Sequence, residues 1–334
     1  MIYPKYLTGN NKIGVTAPSA GATKDTDIYR FKNACSNLKD RGYDVIFTDN
    51  VFTSDEYGRS SDKTIRGQEF MSLINDSSID YIVSAKGGDY LAEMLPYIDY
   101  DAIKHNPKWI QGYSDNTSIL FSVTTLCDIA TVYGYNFGNY GMNVWHKSVE
   151  DNLAILENKL KVQNSFQMYQ DDFSDNTNGF NFTQNVLVKN SRNNNHECFE
   201  GRLIGGCLDV LYDISGTKYE DAAGFVKRYA NDGIIWYLES FDAMGERFII
   251  MLWKLKELGW FENVKGFIFG RPCFYKSFAD ISYMDAAMTV LSQFNVPVIF
   301  DADIGHKEPQ WTIINGAKAR FEYNDGKASL TYLE

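Results

Sequence analysis

Apolar residues in the N-terminal part of the chain follow two periods in turn. Short β-rich runs, Ile13-Gly14-Val15, Val45-Ile46-Phe47, Tyr81-Ile82-Val83, Trp109-Ile110 and Val132-Tyr133, have the length of buried strands. Between the first two, Ile28, Phe31, Ala34 and Leu38 recur at near-helical spacing until Gly42. The pattern predicts strands over 12–17, 43–47, 81–84, 109–112 and 130–133, with helices over 25–38, 64–75, 89–95 and 115–127. Alternation of this kind implies a parallel sheet with helices on both faces.

From about 164 to 195 the composition shifts to Asn, Asp, Ser, Gln and Phe, ending in Asn193-Asn194-Asn195. This is the expected domain junction, either a solvated linker or a loop whose Phe173, Phe180 or Phe182 covers a substrate. Strands are then predicted over 233–238, 266–270 and 297–300, and helices over 244–258 and 286–294. Two final β-rich runs, 319–323 and 328–332, are joined by Asn324-Asp325-Gly326, residues that suit a tight hairpin. The chain is thus read as an α/β protein divided into an N-terminal domain (1–163), a junction (164–200) and a C-terminal α/β domain (201–334) with mixed and antiparallel strands. No internal repeat is seen.

Composition narrows the chemistry. A chain of 334 residues is long enough for two hydrophobic cores. Its 32 basic and 43 acidic side chains leave a net charge of -11, which repels a phosphate backbone, so a nucleic-acid polymer is not an expected partner. The N-terminus has no apolar leader segment and no stretch approaches a membrane span, so a cytoplasmic protein is expected. Five scattered cysteines without a C-x-x-C pair point to neither a disulfide framework nor a zinc site. The four histidines show no metal-ligand spacing, and neither metal nor cofactor is expected.

The most informative residues are Gly112-Tyr113-Ser114-Asp115, where a predicted strand gives way to a helix. A serine on such a turn projects its hydroxyl from the carboxyl edge of the sheet, and the next amide N–H meets an incoming oxyanion. The pattern G-x-S-x-G wants glycine at 116, where this chain has Asn116, and an N-cap serine is the plainer reading. A second turn, Lys86-Gly87-Gly88-Asp89, also follows a strand, and its backbone can approach the serine closely enough to add an oxyanion donor. It lacks the glycine fingerprints of Rossmann and P-loop nucleotide sites, which argues against a nucleotide-dependent oxidoreductase.

A serine nucleophile needs a base. His306 lies in a loop after a predicted strand, where a side chain can reach a cleft, whereas His105, His146 and His196 sit in polar surroundings and read as surface residues. The base needs a carboxylate to hold its tautomer, and Glu239, Asp242 and Glu246 all follow the strand at 233–238.

Taken in order, these segments resemble the LD-carboxypeptidase family of serine peptidases (family S66), which includes the microcin C self-immunity hydrolases. The likeness runs from Ile13-Gly14-Val15-Thr16-Ala17-Pro18-Ser19 through Gly87-Gly88, Gly112-Tyr113-Ser114-Asp115, Gly201-Arg202-Leu203-Ile204-Gly205-Gly206, Leu238-Glu239, Gly266-Phe267-Ile268-Phe269-Gly270 and Gly305-His306. The resemblance implies a Rossmann-like or flavodoxin-like parallel-sheet N-terminal domain, a triad of Ser114, Glu239 and His306, an oxyanion hole from the backbone N–H groups of Gly88 and Asp115, and a homodimer. Its departures fall on the substrate contacts. Lys86 stands where relatives have arginine, and a lysine makes no bidentate clamp. Cys207 stands where many have asparagine. Length near 164–200 resembles the microcin-immunity branch, in which an aromatic side chain on this loop stacks a nucleobase. Without a tryptophan in the segment, that role would fall to Phe or Tyr. Lys86, Asp89, Cys207, Phe173 and Phe182 are the substrate contacts to examine. The implied activity is hydrolysis of an amide in a small peptide or a peptidyl or aminoacyl nucleotide through an acyl-enzyme. The alternatives are removal of a terminal D-amino acid from a murein tetrapeptide and a ligand-binding module without catalysis.

Overall fold

The computed structural model describes residues 1–174, 178–192 and 194–334. Asn193, the first residue of the asparagine run, and 175–177 within the expected junction lie outside the described residues. The chain forms two compact units, one built on Met1–Leu160 with Thr312–Ile314, the other on Lys161–Ser174, Phe180–Trp311 and Asn315–Glu334.

The first unit contains strands β1 (Lys12–Thr16), β2 (Asp44–Phe47), β3 (Tyr81–Ser84), β4 (Trp109–Gly112) and β5 (Thr131–Tyr133). Its helices are α1 (Asp25–Lys39), α2 (Lys63–Asn75), α3 (Tyr100–His105), α4 (Thr117–Cys127) and α5 (Lys147–Leu156). The neighbouring strands from β2 through β1, β3 and β4 to β5 pair in parallel, as the alternating pattern predicts. All four residues of β3 and of β4 are buried. That burial explains their unbroken apolar runs, since a strand covered on both faces has no polar side to present. Helix α4 is buried at nearly every position, so it carries no charged side chain and only apolar and small hydroxyl residues. The helix expected over 89–95 is replaced by a 3-10 turn at Leu91–Tyr97. Pro96 lies inside it, and the Leu91 N–H is taken by the carboxylate of Asp115 at 2.8 Å.

The second unit opens with the short strands β6 (Val162–Asn164), β7 (Met168–Tyr169), β8 (Gln184–Asn185) and β9 (Lys189–Asn190). The long β10 (His196–Cys207), then α6 (Leu208–Ile214), α7 (Ala222–Arg228), β11 (Ile234–Glu239), α8 (Gly245–Glu257), β12 (Val264–Gly270), α9 (Tyr283–Leu291) and β13 (Val298–Ala302) follow. The chain closes with β14 (Ile313–Asn315), β15 (Lys318–Asn324) and β16 (Lys327–Tyr332). Eight strands form a mixed sheet in the order β6-β16-β15-β10-β11-β12-β13-β9. Its centre, β10 to β13, is parallel, and its flanks are antiparallel, including the β15–β16 hairpin expected around Asn324-Asp325-Gly326. Strand β14 joins the sheet of the first unit beside β5.

Strand β10 escaped the sequence pattern because Gly201, Gly205 and Gly206 dilute its β-propensity. The structure needs at least Gly205 there: a Cβ would lie 1.7 Å from the carbonyl oxygen of Tyr237 on β11. Among the described residues no helix is long and apolar enough to cross a membrane.

Candidate active site

Strand β4 ends at Gly112, Tyr113 stays extended, and Ser114 turns to φ +64 before α4 begins at Thr117. A side chain in the left-handed region costs about 1–2 kcal/mol, so the turn is a sharp, strained elbow of the kind that presents a nucleophile. The missing glycine at 116 has a structural account. Asn116 is fully buried, and its amide donates to the carbonyls of Tyr113 and Lys86, both at 3.0 Å. Its side chain closes the elbow against Gly112, where a Cβ would lie 2.7 Å from that of Asn116. The motif's demand for space is met at 112 instead.

The second glycine turn reaches the serine. A side chain at Gly87 would lie 2.9 Å from Ser114 Cβ and 3.0 Å from its Oγ, so the backbone of this turn lies against the hydroxyl. Gly88 and Asp89 follow, both exposed, at the carboxyl end of β3. Lys86 is half-buried and ion-paired with Asp27 at 2.7 Å. The Asp115 side chain is buried and accepts from the Ser19 hydroxyl and the Leu91 N–H, joining the chain after β1, β3 and β4. Burial pushes its carboxyl up to about 6. This structural use of the carboxylate was not legible in the sequence, which marked Asp115 only for its backbone N–H.

His306 and Glu239 lie in the second unit. Glu239 is the last residue of β11, in register with Cys207 at the end of β10. Its Oε2 lies 2.8 Å from His306 Nδ1, and both side chains are buried. Burial works against a charged imidazole, but the carboxylates of Glu239, Asp209 and Glu308, with Glu239 first, together outweigh it and hold His306 above the ordinary histidine range. A carboxylate can only accept, so Nδ1 carries the proton and the neutral ring keeps a lone pair on Nε2. The other two carboxylates weighed as orienters are placed elsewhere. Asp242 is exposed, and Glu246 accepts from the Ser277 hydroxyl and the N–H groups of Phe278 and Ala279.

Two glycines make room for this pair. A Cβ on Gly305, whose φ is +91, would lie 2.5 Å from Glu239 Oε2, and one on Gly270 would meet Ile304 O at 2.2 Å and Glu239 Cβ at 3.1 Å. His105 and His196 are exposed, as expected. His146 differs: it is half-buried and caps α5, its ring accepting from the Ser148 N–H at 3.2 Å. A residue preceding a helix caps it whenever its side chain can accept, which surrounding polarity does not reveal.

Aromatic rings gather on His306. Phe173 lies 5.9 Å and Phe241 4.7 Å from the His306 ring, and Phe274 packs on both phenylalanines at 6.1 and 5.1 Å. Phe173 and Phe274 are 53% and 47% exposed, so this is a partly open aromatic surface. Phe182 pairs with Phe180 instead, their rings 5.9 Å apart. Cys207 is buried and its thiol faces the carboxylate of Asp209 at 3.5 Å, with burial pushing it well above the usual thiol range. Phe241 and Phe274 went unmarked in the sequence, although Phe241 lies two residues beyond Glu239. Among the described residues no cluster of His, Cys, Asp and Glu forms a metal site.

Similar sequences and folds occur among known proteins. Residues 13–134 match the LD-carboxypeptidase N-terminal domain and residues 200–321 the LD-carboxypeptidase C-terminal domain. The microcin C7 self-immunity protein MccF of Escherichia coli is 28% identical, over 97% of this chain and 94% of its own. A structure of MccF in complex with glutamyl sulfamoyl guanosine superposes with a TM-score of 0.82 at 25% identity, covering 98% of both chains. The fold is shared more distantly with the muramoyltetrapeptide carboxypeptidase from Oxalobacter formigenes, with a TM-score of 0.73 at 18% identity over 97% of this chain and 99% of that one.

Proposed function

The chain belongs to the LD-carboxypeptidase family of serine peptidases, and from that premise we propose that Ser114, His306 and Glu239 act together as the triad of an amide hydrolase. The observation that carries this reading is the buried His306–Glu239 bond, which fixes the tautomer that a general base requires. In the proposed reaction Ser114 Oγ attacks the amide carbonyl carbon while His306 Nε2 takes its proton. The oxyanion is received by the N–H groups of Gly88 and Asp115. The C–N bond then breaks, His306 returns the proton to the departing amine, and water cleaves the acyl-enzyme by the same route to release the acid.

The proposed substrate is a small peptide or an aminoacyl or peptidyl nucleotide. The aminoacyl nucleoside analogue bound by MccF supports this class, and so does the partly open aromatic surface beside His306. Phe173 is proposed to pack on the planar part of the substrate, with Lys86 as the cation beside the glycine turn. The test is release of the amine from an aminoacyl sulfamoyl nucleoside and from a murein tetrapeptide, by wild type and Ser114→Ala. Cleavage of the nucleoside analogue, with a loss on the order of 10³-fold or more in the variant, is the expected result. Cleavage of the tetrapeptide alone assigns the chain to the murein LD-carboxypeptidases, and undiminished activity in Ser114→Ala removes the triad.

A further inference from the structure

The loop that carries His306 is organised around one side chain that the triad does not include. Arg271, one residue beyond β12, is buried and donates to three points of that loop. Its Nη2 reaches Asp303 Oδ1 at 2.8 Å and Lys307 O at 3.3 Å, and its Nη1 reaches Asp301 O at 2.8 Å. These contacts bracket His306 from both sides in sequence. Asp303 is fully buried, and its second oxygen accepts from the Phe166 N–H at 3.0 Å. The ring of Tyr169 covers the guanidinium at 4.2 Å. Segment 166–173 is thereby bound to the same frame. Gln170 N–H donates to Glu308 O at 2.8 Å, Lys307 pairs with Asp171 at 2.6 Å, and Phe173 rests against His306.

A buried ion pair is a poor source of net stability, because desolvation of both charges offsets their attraction. What such a pair does supply is a single conformation, here through Nη1 and Nη2, which are both engaged, while the buried Nε makes no hydrogen bond. A planar guanidinium serves three acceptors at fixed angles, which an ammonium on a flexible stem does not.

We propose that Arg271 is a positioning residue for the base, its guanidinium holding the 301–307 loop so that His306 meets Glu239 and tying the Phe173 segment to that same loop. The assignment rests on reading His306 as the base. Its test therefore includes a readout that needs no activity. The chain has four histidines, so the ring protons and titration of His306 are resolvable by NMR with labelled histidine.

Arg271→Lys keeps the charge and removes the three-point grip. It is expected to lose or broaden the His306 Nδ1 proton signal and to lower the pKa of that ring. A base displaced by a fraction of an ångström to one ångström lowers kcat by about 10- to 100-fold, with KM changed by less than about threefold. Asp303→Asn, of the same size, is expected to act in the same direction. A folded Arg271→Lys protein with the wild-type His306 titration and kcat overturns the proposal, as does a lower Tm with both of those unchanged. If neither variant folds, the pair serves the fold rather than the base, and the proposal also fails. Should wild type hydrolyse no amide, the NMR arm still decides whether Arg271 positions His306, so failure of the functional reading is told apart from failure of this one.

Discussion

Gly305→Ala tests the base pair most directly, because the structure allows its cost to be worked out in parts. The backbone at 305 has φ +91, a region in which an L side chain costs about 1–2 kcal/mol. The new Cβ would lie 2.5 Å from Glu239 Oε2, and ordinary contact begins at 3.4 Å, so the carboxylate has to retreat by about 0.9 Å. Its retreat is limited on the side of Gly270, where Ile304 O and Glu239 Cβ are already close. The 2.8 Å bond to His306 is therefore stretched past hydrogen-bonding range. Leaving a buried charged acceptor without its donor costs about 1.5–3 kcal/mol more. The total, about 2.5–5 kcal/mol, lowers the melting temperature of a unit of this size by on the order of 10 °C. Amide hydrolysis is expected to fall by about 10²-fold or more, since the imidazole loses both orientation and tautomer. Calorimetry of the variant, with kcat and KM measured well below its transition, supplies both numbers. A variant with unchanged melting temperature and kcat would refute the account of why glycine occupies this position.

Glu239→Gln keeps the shape and removes the charge. The folded pKa of His306 is raised, so the pair adds stability that is complete below the unfolded value of about 6.5 and is lost as pH rises through the folded value. The variant should lack that slope in urea titrations and lose about 10³- to 10⁴-fold in kcat, and a wild-type pH profile would contradict the assignment of the carboxylate. Asp115 is likewise raised, to about 6, so its contribution is complete below about 3.9 and falls away as pH rises through 6, by up to about 3 kcal/mol. Asp115→Asn should flatten the stability difference between pH 4 and 7.5, and an unchanged difference would mean that the carboxyl is not desolvated. Phe173→Ala should raise KM for an aminoacyl sulfamoyl nucleoside by about tenfold, the scale of one lost stacking contact, while kcat changes little. Equal loss in kcat would instead point to its contact with the His306 ring.

Much of the turn around Ser114 was legible because it rests on local geometry. A buried strand, a serine and a following helix are neighbours in sequence, and their periodicity survives whatever surrounds them. The same holds for Gly87-Gly88, whose turn must approach a neighbouring strand end in a parallel sheet. The carboxylate that meets His306 was not legible to that degree. Glu239, Asp242 and Glu246 lie at or soon after the end of one strand, and only packing shows that Glu246 closes the turn at Ser277 while Glu239 meets the imidazole.

Periodicity also determined the parallel core of the first sheet and the closing hairpin, since period and turn chemistry are properties of short segments. Contacts that join segments distant in sequence were decided by tertiary structure alone. Ser19 and Asp115 are 96 residues apart, Arg271 and Asp303 are 32, and Phe166 and Asp303 are 137. Glycine-rich β10 became a strand because β11 and β15 pair with it on either side, partners supplied by distant segments. A chain states its own propensities position by position. Which buried charge meets which partner depends on where the sheet sets strand ends side by side, and that is a property of the assembled fold.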